Sequence, residues 1–126
     1  MSFETVDYVI LYVRDIERSI AFYRDVVGLP FKFLESGYAE FATRGTKFAL
    51  FDRALVPDLI GREQSEGGPA GEVAFLVDDV DAEAKPLKGA GAEILSGPVD
   101  RPWGQRTLHV ADPDGNVVEF AKELEK

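Results

Sequence analysis

Short apolar runs separated by turn residues come twice along the chain, in the same order. The first, Val6–Val13 (Val-Asp-Tyr-Val-Ile-Leu-Tyr-Val), is short, β-branched and aromatic, the composition of a strand covered on both faces. A helix is predicted next. Asp15 can cap it, Glu17 and Arg18 fill its first turn, and Ile16, Ile20, Tyr23 and Val27 recur at helical spacing until Gly28 stops it. Three short strands follow at 31–34, 38–42 and 47–51, with Ser36-Gly37 and Arg44-Gly45 as hairpin turns. The first half therefore reads βαβββ.

The same order returns after 52–71, whose glycines and prolines predict an irregular connection wrapped over the surface. Residues 72–77 form a strand, Asp79 or Asp81 caps a helix running through Leu87 and Lys88, and Gly89 and Gly91 close it. Strands at 92–95, 106–111 and 117–121 follow, with Asp112-Pro113-Asp114-Gly115-Asn116 as the turn between the last two. A shift of 64 lays Val13-Arg14-Asp15-Ile16 on Val77-Asp78-Asp79-Val80, and a shift of 70 lays Gly45 and Phe48 on Gly115 and Val118. Repeats of one supersecondary unit usually bury their shared face against each other.

Composition narrows the function classes. At 126 residues and 45% apolar, the chain suits one domain: module one at 1–51, the connection at 52–71 and module two at 72–126. Fourteen Lys and Arg against 23 Asp and Glu give a net charge of −9, which repels phosphate backbones and anionic membrane surfaces and can attract cationic small molecules. Neither a nucleic-acid nor a membrane role is expected. The absence of cysteine removes disulfides, thiolate metal sites and Cys nucleophiles, and suits a reducing cytosol. The opening residues lack the basic start and apolar stretch of a secretion signal, so the expected location is cytoplasmic. The glycines at 67–71 lack the Lys-Ser/Thr ending of a phosphate loop, and no G-x-S-x-G turn exists to support a serine nucleophile.

Three stretches together resemble the vicinal oxygen chelate superfamily, which includes glyoxalase I, bleomycin-resistance proteins and extradiol dioxygenases. They are Y-x-x-x-Y-V-R-D-I-E-R-S-I-A-F-Y-R-D-V-V-G-L from Tyr8, the strand from Glu72 with its Asp-Asp-Val continuation, and P-W-G-Q-R-x-L-H-V-A-D-P-D-G-N-V-V-E-F from Pro102. The resemblance implies an α+β fold of two βαβββ modules forming a cupped mixed sheet, commonly in a homodimer, with ligands bound in the cup. It says little about reaction, since one fold hosts many functions.

Strand parity indicates which residues face that cup. If Val9, Leu11 and Val13 lie under the helix, then Tyr8, Ile10 and Tyr12 point the other way. The offset of 64 carries Tyr8 onto Glu72, and that of 70 carries Ala49 onto Glu119. The resemblance places the metal ligands of the family's enzymes, typically His, Gln or Glu, at these four positions. Here the usual histidines are absent and Ala49 cannot ligate, leaving Glu72 and Glu119. With waters, this pair suits a hard divalent cation such as Mg²⁺ or Mn²⁺, whereas a catalytic Zn²⁺ normally takes three protein ligands. Without a metal, the same pair would hold a polar or cationic ligand.

His109, the single histidine, precedes Glu119 by ten residues across the Asp112–Asn116 turn, which makes the two approximate cross-strand neighbours. The pair can act as a general acid or base near neutral pH, or His109 can supply a further metal ligand. In the extradiol branch the corresponding position looks like one that carries a catalytic side chain. Among the aromatics, Tyr8, Tyr12, Phe33, Tyr38 and Phe51 are candidates to line a ligand site. Trp103, between Pro102 and Gly104, can stack on a flat ligand or pack across a dimer interface. Two readings result. One is a protein that sequesters a small aromatic or cationic molecule and needs no cofactor. The other is a divalent-metal-dependent lyase, isomerase or dioxygenase-like enzyme acting on vicinal oxygens through Glu72 and Glu119. Both take a small-molecule ligand, and a homodimer is expected because open modules leave strand edges that a second copy would cover.

Overall fold

The β-branched and aromatic run after Asp7 forms β1 (Tyr8–Val13), and the polar Arg14-Asp15 pair ends it. The Asp15 carboxylate accepts from the Arg18 amide and so starts α1 (Ile16–Ala21), satisfying an orphan donor of the first turn. Beyond α1 the helix widens into a π-helical stretch, Phe22–Val27. Gly28 ends it at φ 93°, and both Gly28 and Leu29 donate to the Tyr23 carbonyl. Tyr23 is thereby fully buried, with its ring centroid 4.8 Å from Phe48 and 6.2 Å from Phe41. The computed structural model describes residues 6–60 and 72–125.

β2 (Phe31–Glu35), β3 (Tyr38–Phe41) and β4 (Lys47–Asp52) complete the first sheet, in the order β1-β4-β3-β2, with β1 parallel to β4 and the other pairs antiparallel. The core under the helix holds Leu11, Val13, Ile20, Tyr23, Phe41, Phe48 and Leu50, all buried. The expected irregular connection instead begins with a 3₁₀ turn (Arg53–Leu55) and a short α2 (Val56–Ile60). Asp52 initiates the turn by accepting from the Ala54 amide, and Val56 is buried. Five residues are too few for an apolar period to announce a helix. The rest of that connection, 61–71, lies outside the described residues.

The second sheet repeats the plan. β5 (Glu72–Leu76), α3 (Val80–Gly89), β6 (Glu93–Arg101), β7 (Gln105–Ala111) and β8 (Val117–Glu123) give the order β5-β8-β7-β6, with β5 parallel to β8. Asp79 is the residue that caps α3, accepting from the Ala82 amide; Asp81 binds Arg106 instead. β6 is far longer than the expected 92–95. Its residues 93–101 run against 105–111 of β7, so two extra residues are taken up in bulges, between Ile94 and Ser96 and between Ser96 and Val99. Gly97 occupies the second bulge at φ 92°, where a Cβ would collide with the Thr107 carbonyl oxygen.

The chain divides into two compact units, Met1–Gly67 and Gly68–Lys126. The two βαβββ modules make the fold α+β. Their registers match the repeat: Ile10 pairs with Ala49 as Ala74 pairs with Glu119, the same offsets of 64 and 70. No described helix is long and apolar enough to cross a membrane.

Candidate functional site

Each sheet turns one face to its helix and the other away from it. In the first sheet Leu11 and Val13 are buried, while Tyr8 and Ile10 are exposed and Tyr12 is half-buried on the opposite face. Lys47, Ala49 and Phe51 stand beside Tyr8, Ile10 and Tyr12. Glu40 and Tyr38 stand beside Ala49 and Phe51, and Phe33 stands beside Glu40. All five aromatic candidates of this module therefore share a face, with ring centroids 6.5 Å apart for Tyr12–Phe51 and 5.8 Å for Phe33–Tyr38. The Lys47 ammonium sits 5.1 Å from the Tyr8 ring centroid.

Glu40, at 6% exposure, is the polar centre of that face. It accepts from the Tyr38 hydroxyl at 2.7 Å and from the Lys32 ammonium at 3.1 Å. These two bonds, Tyr38 first, hold the Glu40 carboxyl below the usual carboxylate range. Burial, followed by the bond to Glu40, pushes the Tyr38 phenol up to about 12.

In the second sheet the Asp112–Asn116 turn sets the alignment of β7 and β8. The Asp112 carboxylate accepts from the amides of Asp114 and Asn116 and from the Asn116 side chain, while Gly115 donates to the Asp112 carbonyl. The register that follows puts His109 directly opposite Glu119. His109 Nε2 lies 2.8 Å from Glu119 Oε2 and 3.4 Å from Glu72 Oε1. Their side chains are 19%, 17% and 52% exposed respectively, so a half-buried pair is met by a third group from the edge strand β5.

One ligating atom from each of Glu72, His109 and Glu119 lies within 4.8 Å of the others. Two carboxylates this close repel, so the centre attracts a cation. Adjacent ligands of an octahedral ion at bond lengths of about 2.1 Å stand about 3 Å apart, close to the two separations around His109 Nε2. One imidazole and two carboxylates fit a hard or borderline divalent ion and leave positions open to substrate.

The first module's counterpart is Tyr8, Glu40 and Ala49, because Glu40 pairs with Ala49 as His109 pairs with Glu119. Sequence reasoning missed Glu40, although the repeat taken one strand further, at an offset of 69, points to it. Ala49 supplies no ligand and the Glu40 carboxylate is already engaged by Tyr38 and Lys32. Trp103 is 65% exposed in the β6–β7 turn, its indole N–H donating to Gln105 Oε1 at 3.1 Å.

The Glyoxalase/Bleomycin resistance protein/Dioxygenase superfamily model matches residues 5–120, and the chain belongs to that superfamily. The uncharacterized protein YraH of Bacillus subtilis (strain 168) is 36% identical over 121 residues, covering 90% of this chain and 94% of its own. A probable lactoylglutathione lyase of Vibrio parahaemolyticus is 30% identical over 130 residues, covering 95% and 91%. Among solved structures, a glyoxalase/bleomycin resistance protein/dioxygenase from Nocardioides is 27% identical with a TM-score of 0.86, over 99% of this chain and 87% of that one.

Proposed function

We propose that the protein binds a small organic molecule over the second sheet and acts on it as a metal-dependent lyase or isomerase, with Glu72, His109 and Glu119 holding a divalent ion. The observation that carries this reading is the convergence of three ligating atoms within 4.8 Å on one sheet face. A bound ion would act as a Lewis acid on substrate oxygens. His109 and Glu119, half-buried and locked opposite each other by the Asp112 turn, form the rigid side of the site. Glu72, on an edge strand and more exposed, is the ligand best able to adjust as substrate enters. The lactoylglutathione lyase relative agrees with this class of reaction.

A second reading has its own support. His109 Nε2 already meets a carboxylate at 2.8 Å, so the trio is internally satisfied without an ion, as in a protein that only sequesters an aromatic or cationic molecule. Calorimetric titration of chelator-treated protein with Mn²⁺ separates the two. One ion per chain is expected, with affinity reduced at least about tenfold in Glu119→Gln and in His109→Ala. No saturable binding, or binding unchanged in both variants, would leave the sequestering reading.

A further inference from the structure

Arg101 is held by neutral partners. Its Nε donates to Thr107 Oγ1 at 2.9 Å and its Nη2 to Ser96 Oγ at 3.0 Å, both neutral acceptors. The Trp103 ring centroid lies 5.9 Å from its guanidinium carbon. No carboxylate lies within ion-pair distance of it among the described residues, in a chain whose net charge is −9. Arg106 on β7 shows the contrast, since Asp81 grips it with two bonds and Asp100, the residue beside Arg101, takes a third.

A guanidinium carries five N–H donors, and two are used here, one on Nε and one on Nη2. The remaining donors, both on Nη1 and one on Nη2, have no acceptor among the described residues, so Nη1 and Nη2 together can offer a fork to a ligand. That fork matches the two oxygens of a carboxylate, and the hydroxyls of Ser96 and Thr107 have already fixed its orientation. The placement is equally specific. Arg101 stands opposite Gln105, so it shares a face with Thr107 and His109, and the Ser96 it reaches is the residue paired with His109. Thr107 and His109 are two residues apart on one strand, about 7 Å.

We infer that Arg101 selects the ligand by its charge: the molecule taken up over the second sheet is a small planar organic carboxylate. Its carboxylate pairs with the Arg101 fork, its flat skeleton lies against Trp103, and its remaining oxygens face Glu72, His109 and Glu119. The last of these assignments rests on the proposed metal-dependent reading; the charge preference does not. It departs from the preference for a cationic ligand expected from net charge: Glu72 and Glu119 draw positive charge to their own centre, whereas Arg101, one step along the same face, is a fixed guanidinium with no carboxylate on it among the described residues and takes the anionic end of the ligand.

Trp103 is the single tryptophan, so its fluorescence reports this site alone. Benzoate, benzamide and benzamidine are near-isosteric, with charges of minus one, zero and plus one. Titrated into chelator-treated protein, benzoate is expected to quench Trp103 with at least tenfold higher affinity than benzamidine. Arg101→Gln should erase that difference, and Arg101→Lys, which keeps the charge but not the fork, should retain part of it. Glu119→Gln should keep the benzoate preference while weakening Mn²⁺ binding at least about tenfold, so failure of the metal reading and failure of this one give different patterns. Benzamidine binding as tightly as benzoate, or Arg101→Gln leaving benzoate affinity within twofold, overturns the proposal. If Arg101→Gln does not fold, the charge series on the wild-type protein decides by itself.

Discussion

Replacing Glu40 by glutamine should lower the pH at which the Tyr38 phenol ionises. The Tyr38 phenol is pushed up to about 12, against an ordinary value of 10. Two units at roughly 1.4 kcal/mol each make the phenolate about 3 kcal/mol harder to form here than in the unfolded chain. Because the folded value is raised, this stabilisation is fully present below pH 10 and is lost as pH rises through about 12. Burial, the largest cause, survives the substitution, whereas the acceptor and its charge do not, so the Tyr38 midpoint should fall but stay above 10. Phenolate absorbance after a rapid pH jump, read before alkaline unfolding, follows the ionisations, and the difference between wild type and Tyr38→Phe isolates the Tyr38 step. A Tyr38 midpoint near the ordinary value, or identical curves for wild type and Glu40→Gln, would refute the reasoning. On the acid side the sign reverses: the Glu40 carboxyl is held low, so its contribution is present above the ordinary glutamate range and lost as pH falls through its depressed value.

Gly91 and Gly97 both have positive φ, at 86° and 92°, but only Gly97 has backbone in the way of a Cβ. Denaturant unfolding should show Gly91→Ala losing about 1–2 kcal/mol of stability to conformational strain and Gly97→Ala losing distinctly more; equal losses would mean that β6 yields freely at its bulge. Tyr23→Ala, which empties the fully buried ring site against Phe41 and Phe48, should cost about 3–5 kcal/mol in the same assay, and a loss under about 1 kcal/mol would contradict the packing described.

What the amino-acid order determined was everything governed by neighbours along the chain. Alternation in Tyr8–Val13 separated the helix face from the open face, and the residue pairings observed across β1–β4 and β5–β8 carry the same offsets as the repeat. The turn chemistry of Asp112–Asn116 made His109 and Glu119 neighbours, because a tight turn converts a distance in sequence into a register. Three features were decided only by tertiary structure. Glu72 joins His109 and Glu119 from a parallel strand, a pairing that no local signal sets. Glu40 is buried by cross-strand partners, and a glutamate in a strand otherwise reads as an exposed position. Arg101 came to light only when 96–101 proved to be bulged strand: the Gly97-Pro98 pair breaks period-two alternation, and the extra residues reassign which side chains share a face with His109. Pairing across strands is a property of the assembled sheet, so the charge beside the site could be read only once the sheet was built.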